Sequence, residues 1–168
     1  MRRDTVSAIA LLLALTALAL PADAADAPPD LTMSECLVLP PVGRHERSPI
    51  RTDAVEARIV SGAWVPPAEG DKVTVPGGSE VAWLAAKAGE DGWIGHAALG
   101  GGYAFWRVEA DAERVMLLEA SGHSLVYVNG EARAGDPYGY GFMRLPVALR
   151  QGSNDLLFFV QRGRVRAK

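Results

Sequence analysis

The chain reads as an all-β protein, an antiparallel β-sandwich behind an N-terminal signal peptide, and three observations carry that reading. Beyond residue 34, short apolar runs rich in Val, Leu and aromatic residues recur between clusters of Gly, Pro, Asp and Asn, the spacing of strands in a sandwich or barrel. Several of these runs alternate apolar and polar residues with period two, which sends the two kinds to opposite faces of a strand. No window after the first 24 residues holds a convincing helical period, although RTDAVEARIV, residues 51–60, has room for one turn.

The N-terminus sets the compartment. Arg2 and Arg3 precede an uncharged apolar run at 8–20 (AIALLLALTALAL), then Pro21 and the small-x-small sites Ala22-Asp23-Ala24 and Ala25-Asp26-Ala27. That order is the pattern of a secretory signal peptide, and the run falls short of the roughly 20 residues of a membrane-spanning helix. Cleavage near Ala24 or Ala27 predicts a secreted or periplasmic protein with no stable membrane anchor. Cys36 lies too far downstream to accept a lipid at the cleavage point. The expected organisation is a signal peptide at 1–24, a disordered leader rich in Ala, Pro and Asp at 25–34, and one sandwich domain at 35–168.

Strands are expected near 37–39, 57–61, 72–75, 82–85, 103–110, 114–119, 125–128, 142–149 and 155–161. In 103–110, Ala104, Trp106 and Val108 share one face and Arg107 and Glu109 the other. In 144–150, Leu145, Val147 and Leu149 face one way, and Pro146, which has no N–H for a ladder, marks an edge strand or a bulge. Residues 115–118 and 156–160 are apolar throughout and are expected as central strands covered on both sides. Asn129-Gly130 predicts a type I′ hairpin turn, since both residues tolerate positive φ. Further turns are expected at Ser121-Gly122-His123 and Gly152-Ser153-Asn154.

Charge and composition exclude several functions. The signal segment's charges cancel, so the mature chain keeps the formal net charge of −3 and would repel a phosphate backbone, which argues against nucleic acid. The basic residues Arg162, Arg164, Arg166 and Lys168 are explained most simply as a solvated end. Cys36 is the single cysteine, so there is no internal disulfide. It reads as a small strand-edge residue, because no neighbouring cation lowers its pKa.

Candidate chemistry is sparse. Gly122-His123-Ser124-Leu125-Val126 begins like a nucleophile elbow, but Val126 stands where the elbow needs glycine and a strand follows where it needs a helix. His45, His96 and His123 lack metal-ligand spacing. Glu109, Glu131 and Asp136 are the acids available for paired-carboxylate work, and Asp136-Pro137 also reads as turn initiation. Gly100-Gly101-Gly102 opens a strand, so no helix N-terminus faces an anion there. No catalytic residue, metal or other cofactor is expected. Trp64, Trp83, Trp93 and Trp106 read as core or interface residues. Tyr138, Tyr140 and Phe142 allow two readings. With Arg133 and Asp136, Tyr138 and Tyr140 line a shallow ligand site whose rings stack on a pyranose, or they simply cap the open end of the sandwich.

The segment YVNGE, a Tyr/Gly-rich crossing and LPVALRQGSNDLLF together resemble the galactose-binding-like jelly-roll domains of secreted bacterial glycoside hydrolases. There a strand ending in V-N-G is followed by a loop, an aliphatic strand and an L-x-x-G-x-N turn, which Leu149 to Asn154 matches. The likeness covers residues 102–163 and extends to sandwich domains at the front of prolyl-oligopeptidase-like proteins. It implies a non-catalytic accessory module for glycan contact or for docking beside a catalytic domain. The alternative it implies is the N-terminal part of a secreted hydrolase, either a glycoside hydrolase or a prolyl-oligopeptidase-like serine hydrolase, and on that pattern a further domain is expected after residue 168.

Overall fold

The computed structural model describes residues 30–43, 53–141 and 143–168. The expected signal peptide, His45 and Phe142 lie outside the described residues. In chain order the elements are β1 (Glu35–Leu39), α1 (Ala54–Val60), β2 (Lys72–Thr74), β3 (Glu80–Ala82), β4 (Leu84–Lys87), β5 (Ile94–Gly95) and a 3-10 turn at Ala97–Leu99. There follow β6 (Gly102–Ala110), β7 (Arg114–Ser121), β8 (His123–Val128), β9 (Glu131–Ala134), β10 (Arg144–Leu149), β11 (Gly152–Val160) and β12 (Arg164–Ala167).

The protein is an all-β antiparallel sandwich. A six-stranded sheet in the order β4-β1-β6-β11-β8-β9 faces a four-stranded sheet in the order β10-β7-β12-β5, and β2 and β3 form a separate hairpin. One apolar cluster, including Val38, Ala104, Val126, Phe158 and Val165, fills the space between the sheets. A second, including Leu39, Trp83, Tyr103, Phe105, Tyr127 and Phe159, covers the other face of the six-stranded sheet beneath α1 and the β2–β3 hairpin.

Strand β11 lies between β6 and β8 with Leu156 to Val160 buried on both faces, as its unbroken apolar run predicts. In β6, Tyr103 and Phe105 enter the outer cluster while Ala104, Trp106 and Val108 enter the inner one. Beyond the reach of the outer layer the same face becomes polar, with Arg107 paired to Asp155 at 3.3 Å and Glu109 accepting from Ser153. Strand β10 is the edge that Pro146 requires.

Several sequence expectations need correction. Of residues 57–61, expected as a strand, 57–60 belong to α1 and Ser61 is its C-cap. Asp53 caps the helix by accepting from the backbone N–H groups of Val55 and Glu56, each at 2.9 Å, and this outweighs the β-branched residues that follow. Strand β7 is central in its sheet but covered on one side only, since Val115 and Leu117 are 71 % and 51 % exposed. The 82–85 segment is divided between β3 and β4 by the buried Trp83. Cys36 sits inside the six-stranded sheet, because β1 is flanked by β4 and β6. Near the expected leader's end, Met33 is fully buried and donates its N–H to the Ala167 carbonyl at 3.0 Å.

Of the four basic residues expected at a solvated end, Arg164 and Arg166 lie in β12, which pairs with β7 and β5 and has Val165 and Ala167 buried and the two arginines outward. Among the described residues no helix is long and apolar enough to cross a membrane.

Connections switch sheets repeatedly. The chain passes from the six-stranded sheet at β6 to the four-stranded sheet at β7, back to β8 and β9, across to β10, back to β11 and across again to β12. The turn at 121–123 is therefore a corner between sheets. Gly122 occupies it with φ of 92°, and a Cβ there would lie 2.2 Å from the Arg164 carbonyl oxygen, so no other residue fits. Asn129-Gly130 forms the expected hairpin turn, with φ of 52° and 85°, and its partner strand is β9, which the sequence did not announce.

The two turn asparagines meet. Asn154, fully buried, accepts through Oδ1 from Asn129 Nδ2 and from the Arg150 N–H, each at 2.9 Å, and donates to the carbonyls of Arg150 and Gly152. Asn129 Oδ1 in turn accepts from the Asp155 N–H at 3.0 Å. The β10–β11 corner and the β8–β9 hairpin are thus locked to one another. Asn154→Ala leaves buried backbone groups unpaired and is expected to cost about 2–3 kcal/mol, read as a lower urea midpoint, and Asn154→Asp is expected to lose at least as much, because it sets a buried carboxylate oxygen against the carbonyls of Arg150 and Gly152.

Candidate functional site

In the loop that follows β9, residues 135–141, the conformation is set by Asp136. That carboxylate, only 3 % exposed, accepts from the N–H of Tyr140 at 3.0 Å, the N–H of Gly141 at 2.8 Å and the Ser121 hydroxyl at 3.3 Å. Its own N–H donates to the His123 carbonyl at 2.6 Å. Burial works to raise the Asp136 pKa, but the donors from Gly141, Tyr140, Ser121 and Gly139 together hold it below the ordinary value. The group is an ionised keystone for the loop.

With the backbone held so, Tyr138 and Tyr140 stack on each other, ring centroids 5.6 Å apart at 30°, and each is 67 % exposed. Apolar rings kept at the surface by a buried carboxylate are an arrangement that can receive the flat face of a ligand. Arg133 is engaged elsewhere, donating to the Pro146 carbonyl at 3.0 Å and so tying the edge strands β9 and β10 together. Of the four sequence-predicted site residues, the two tyrosines present a surface, Asp136 supports it, and Arg133 braces the neighbouring edges.

Residues that sequence reasoning missed lie beside the loop. Trp93 is half-buried and belongs to neither core cluster. Its ring carries two guanidinium groups, Arg164 at 4.3 Å and Arg166 at 4.7 Å from the centroid. Arg162 approaches the loop so closely that a Cβ on Gly139 would sit 3.2 Å from its Nη1, and a Cβ on Gly141 would sit 4.0 Å from Arg166 Nη2. A cleft of about 340 Å³ opens here, lined by Asp91, Glu119, Ser121, Gly141, Arg166 and Lys168 among others. The alternation Arg164-Val165-Arg166-Ala167 was the available signal, being the period-two pattern of a half-buried strand.

The remaining candidate groups lie apart. Strands β6 and β9, which carry Glu109 and Glu131, are separated by β11 and β8, a spacing of roughly 14 Å. The Cys36 thiol is buried and pushed up to about 12 by desolvation. Among the described residues no three His, Cys, Asp or Glu side chains gather as a metal site. Gly102 begins β6 in close contact, with any Cβ there 2.1 Å from the Leu39 carbonyl oxygen, so it is a packing position and not a flexible hinge. Compared with known proteins, the chain matches no family model, no curated protein and no solved structure.

His123 is the unusual core residue. The register shift opposite Phe159 and Val160 makes Ser124 an extra residue in β8 and turns His123 inward. There it is 1 % exposed, edge-on to Phe158 at 5.3 Å, and among the described residues neither ring nitrogen has a hydrogen-bond partner. Burial pushes its pKa down from 6.5 to about 4, opposed in part by the Asp136 carboxylate.

The unfolded chain takes up a proton near pH 6.5 that the folded chain refuses until about pH 4. The stability from neutral His123 is therefore complete above that window, and falls by on the order of 3 kcal/mol as pH drops through it. The depressed carboxylates Glu119 and Asp136 act lower, losing their contribution only below their ordinary values of 4.5 and 3.8. Urea midpoints measured from pH 7 to 4 are expected to decline in the wild type, and the His123→Phe variant flattens that slope.

Proposed function

We propose that this chain is a secreted, non-catalytic accessory module of the galactose-binding-like jelly-roll kind, whose work is glycan contact beside a catalytic domain. The observation that carries the reading is the stacked, exposed Tyr138–Tyr140 pair on a loop held rigid by a buried carboxylate. A pyranose ring offers an apolar face to such aromatics while its hydroxyls bond to polar groups around it. Prior fixation of the loop by Asp136 lowers the entropy lost on binding.

Two further features support it. The sheet-switching order of β6 to β12 suits a jelly roll, and the Asn129–Asn154 lock gives the V-N-G and G-x-N elements of the resemblance a shared structural purpose. The placement of reactive groups favours binding over turnover: Cys36 is a buried neutral thiol, Ser124 lies in the bulge of β8, and the His123 ring faces Phe158. The basic region, apolar run and small-residue site at the N-terminus support export.

Titration of the purified protein with neutral and acidic polysaccharides, followed by intrinsic fluorescence and by retardation in polysaccharide-loaded gels, tests the reading. Binding is expected, and the Tyr138→Ala/Tyr140→Ala variant should weaken it on the order of 10- to 30-fold with an unchanged melting temperature. Unaltered emission and mobility across the whole series would leave the tyrosines as a cap only.

A further inference from the structure

The arginines of the β12 segment face out of the four-stranded sheet toward the tyrosine loop, and their chemistry points to a class of ligand. Arg162, Arg164 and Arg166 are all exposed, and among the described residues none has a carboxylate within ion-pair distance. The acids nearby are already committed. Glu119 is bridged by Arg144 and Lys168, each at 3.0 Å. Asp91 accepts from the Trp93 N–H at 3.1 Å, and Asp136 is buried under the loop. Three guanidinium groups thus stand against Asp91 and Asp136, in a chain whose formal net charge is −3.

Arg164 and Arg166 are also held in place. Trp93 lies against both Arg164 and Arg166, and Gly122, packed 3.1 Å from the Trp93 ring at its notional Cβ, keeps the indole against β12. A guanidinium over an indole loses rotamer freedom while its planar fork of N–H donors stays available to other acceptors. Planar donors arranged in this way suit a carboxylate, which accepts two parallel N–H bonds. The close approach of Arg162 to Gly139 and of Arg166 to Gly141 puts such donors against the backbone of the loop that carries the stacked rings.

We propose that this surface is selective for acidic polysaccharides, the tyrosine pair taking a sugar ring and Arg162 and Arg166 taking its carboxylate, with Trp93 and Arg164 as positioning residues. The inference deepens the glycan-contact reading and rests on it. Carboxylate and sulfate esters share the anionic chemistry, so polyuronate and sulfated polysaccharide form separate arms of the test.

Affinity is measured for polygalacturonate, a sulfated galactan, a neutral galactan, poly-glutamate and single-stranded oligonucleotide, at low and at 0.5 M salt, on the order of a threefold difference in screening length. The expected result is polygalacturonate bound about tenfold more tightly than neutral galactan, with the preference lost at high salt. Arg162→Ala/Arg166→Ala should abolish the preference, bringing polygalacturonate affinity down to that of neutral galactan. Arg162→Lys/Arg166→Lys, which keeps the charge but loses the planar fork, should lie between. Equal binding of neutral and acidic galactans overturns the inference while leaving the glycan reading standing. Tighter binding of the sulfated galactan overturns the carboxylate assignment. Tighter binding of poly-glutamate or oligonucleotide than of any polysaccharide overturns both readings, as does absence of polysaccharide binding in a wild-type protein that melts cooperatively.

Discussion

Leu156 to Val160 of β11 has no side that faces water. It lies between β6 and β8, with the inner cluster on one face and the outer cluster on the other, and so every residue in it must be apolar. The neighbouring strands inherit the same demand: Tyr103 to Trp106 of β6 and Leu125 to Val128 of β8 meet it over the same stretch. Satisfying it requires a covering layer on each side, and each layer has a different origin. The four-stranded sheet supplies the inner one. The outer one is improvised from α1 and the β2–β3 hairpin, tied down by Tyr127 donating to Glu56 at 3.1 Å and by Tyr103, whose pKa is pushed up by burial and by its hydrogen bond to Asp53.

A chain that crosses between two sheets at almost every connection places unusual weight on its corners. Three of them are joined by side chains and not merely by the backbone. Asn154 links the β10–β11 corner to the β8–β9 hairpin. Asp136 links the β9–β10 loop to Ser121 at the β7–β8 corner, and Arg133 ties β9 to β10 across the sheet edges. Buried polar groups with every partner present rigidify their surroundings. The tyrosine loop, exposed though it is, therefore stands on a fixed base. His123 is the exception among these groups, since its nitrogens are buried without partners among the described residues.

The acidic chain as a whole and the basic patch on one face are not in conflict. Net charge governs solubility and non-specific association, whereas recognition depends on which charges are left unpaired at one place. Glu119 is neutralised by two cations, while among the described residues Arg164 and Arg166 have no carboxylate within ion-pair distance and lie against the Trp93 ring. The four-stranded sheet consequently shows two different outer faces: apolar at Val115 and Leu117, cationic at Arg164 and Arg166.

Much of the architecture was written in short-range pattern. Alternation identified β6 and β10, continuous apolarity identified β11, Pro146 identified an edge, and Asn129-Gly130 identified a hairpin, because period, ladder donors and positive φ are all properties of a few adjacent residues. Composition likewise announced the tyrosine loop. What the residues in order did not contain was the pairing of distant ones. Whether β7 is covered on one side or two, whether Arg164 to Ala167 hangs free or closes a sheet, and which arginines stand beside Tyr138 depend on contacts across some tens of residues. Those contacts exist only once two sheets have packed and excluded water between them, and until then a basic alternating stretch and a solvated tail look alike.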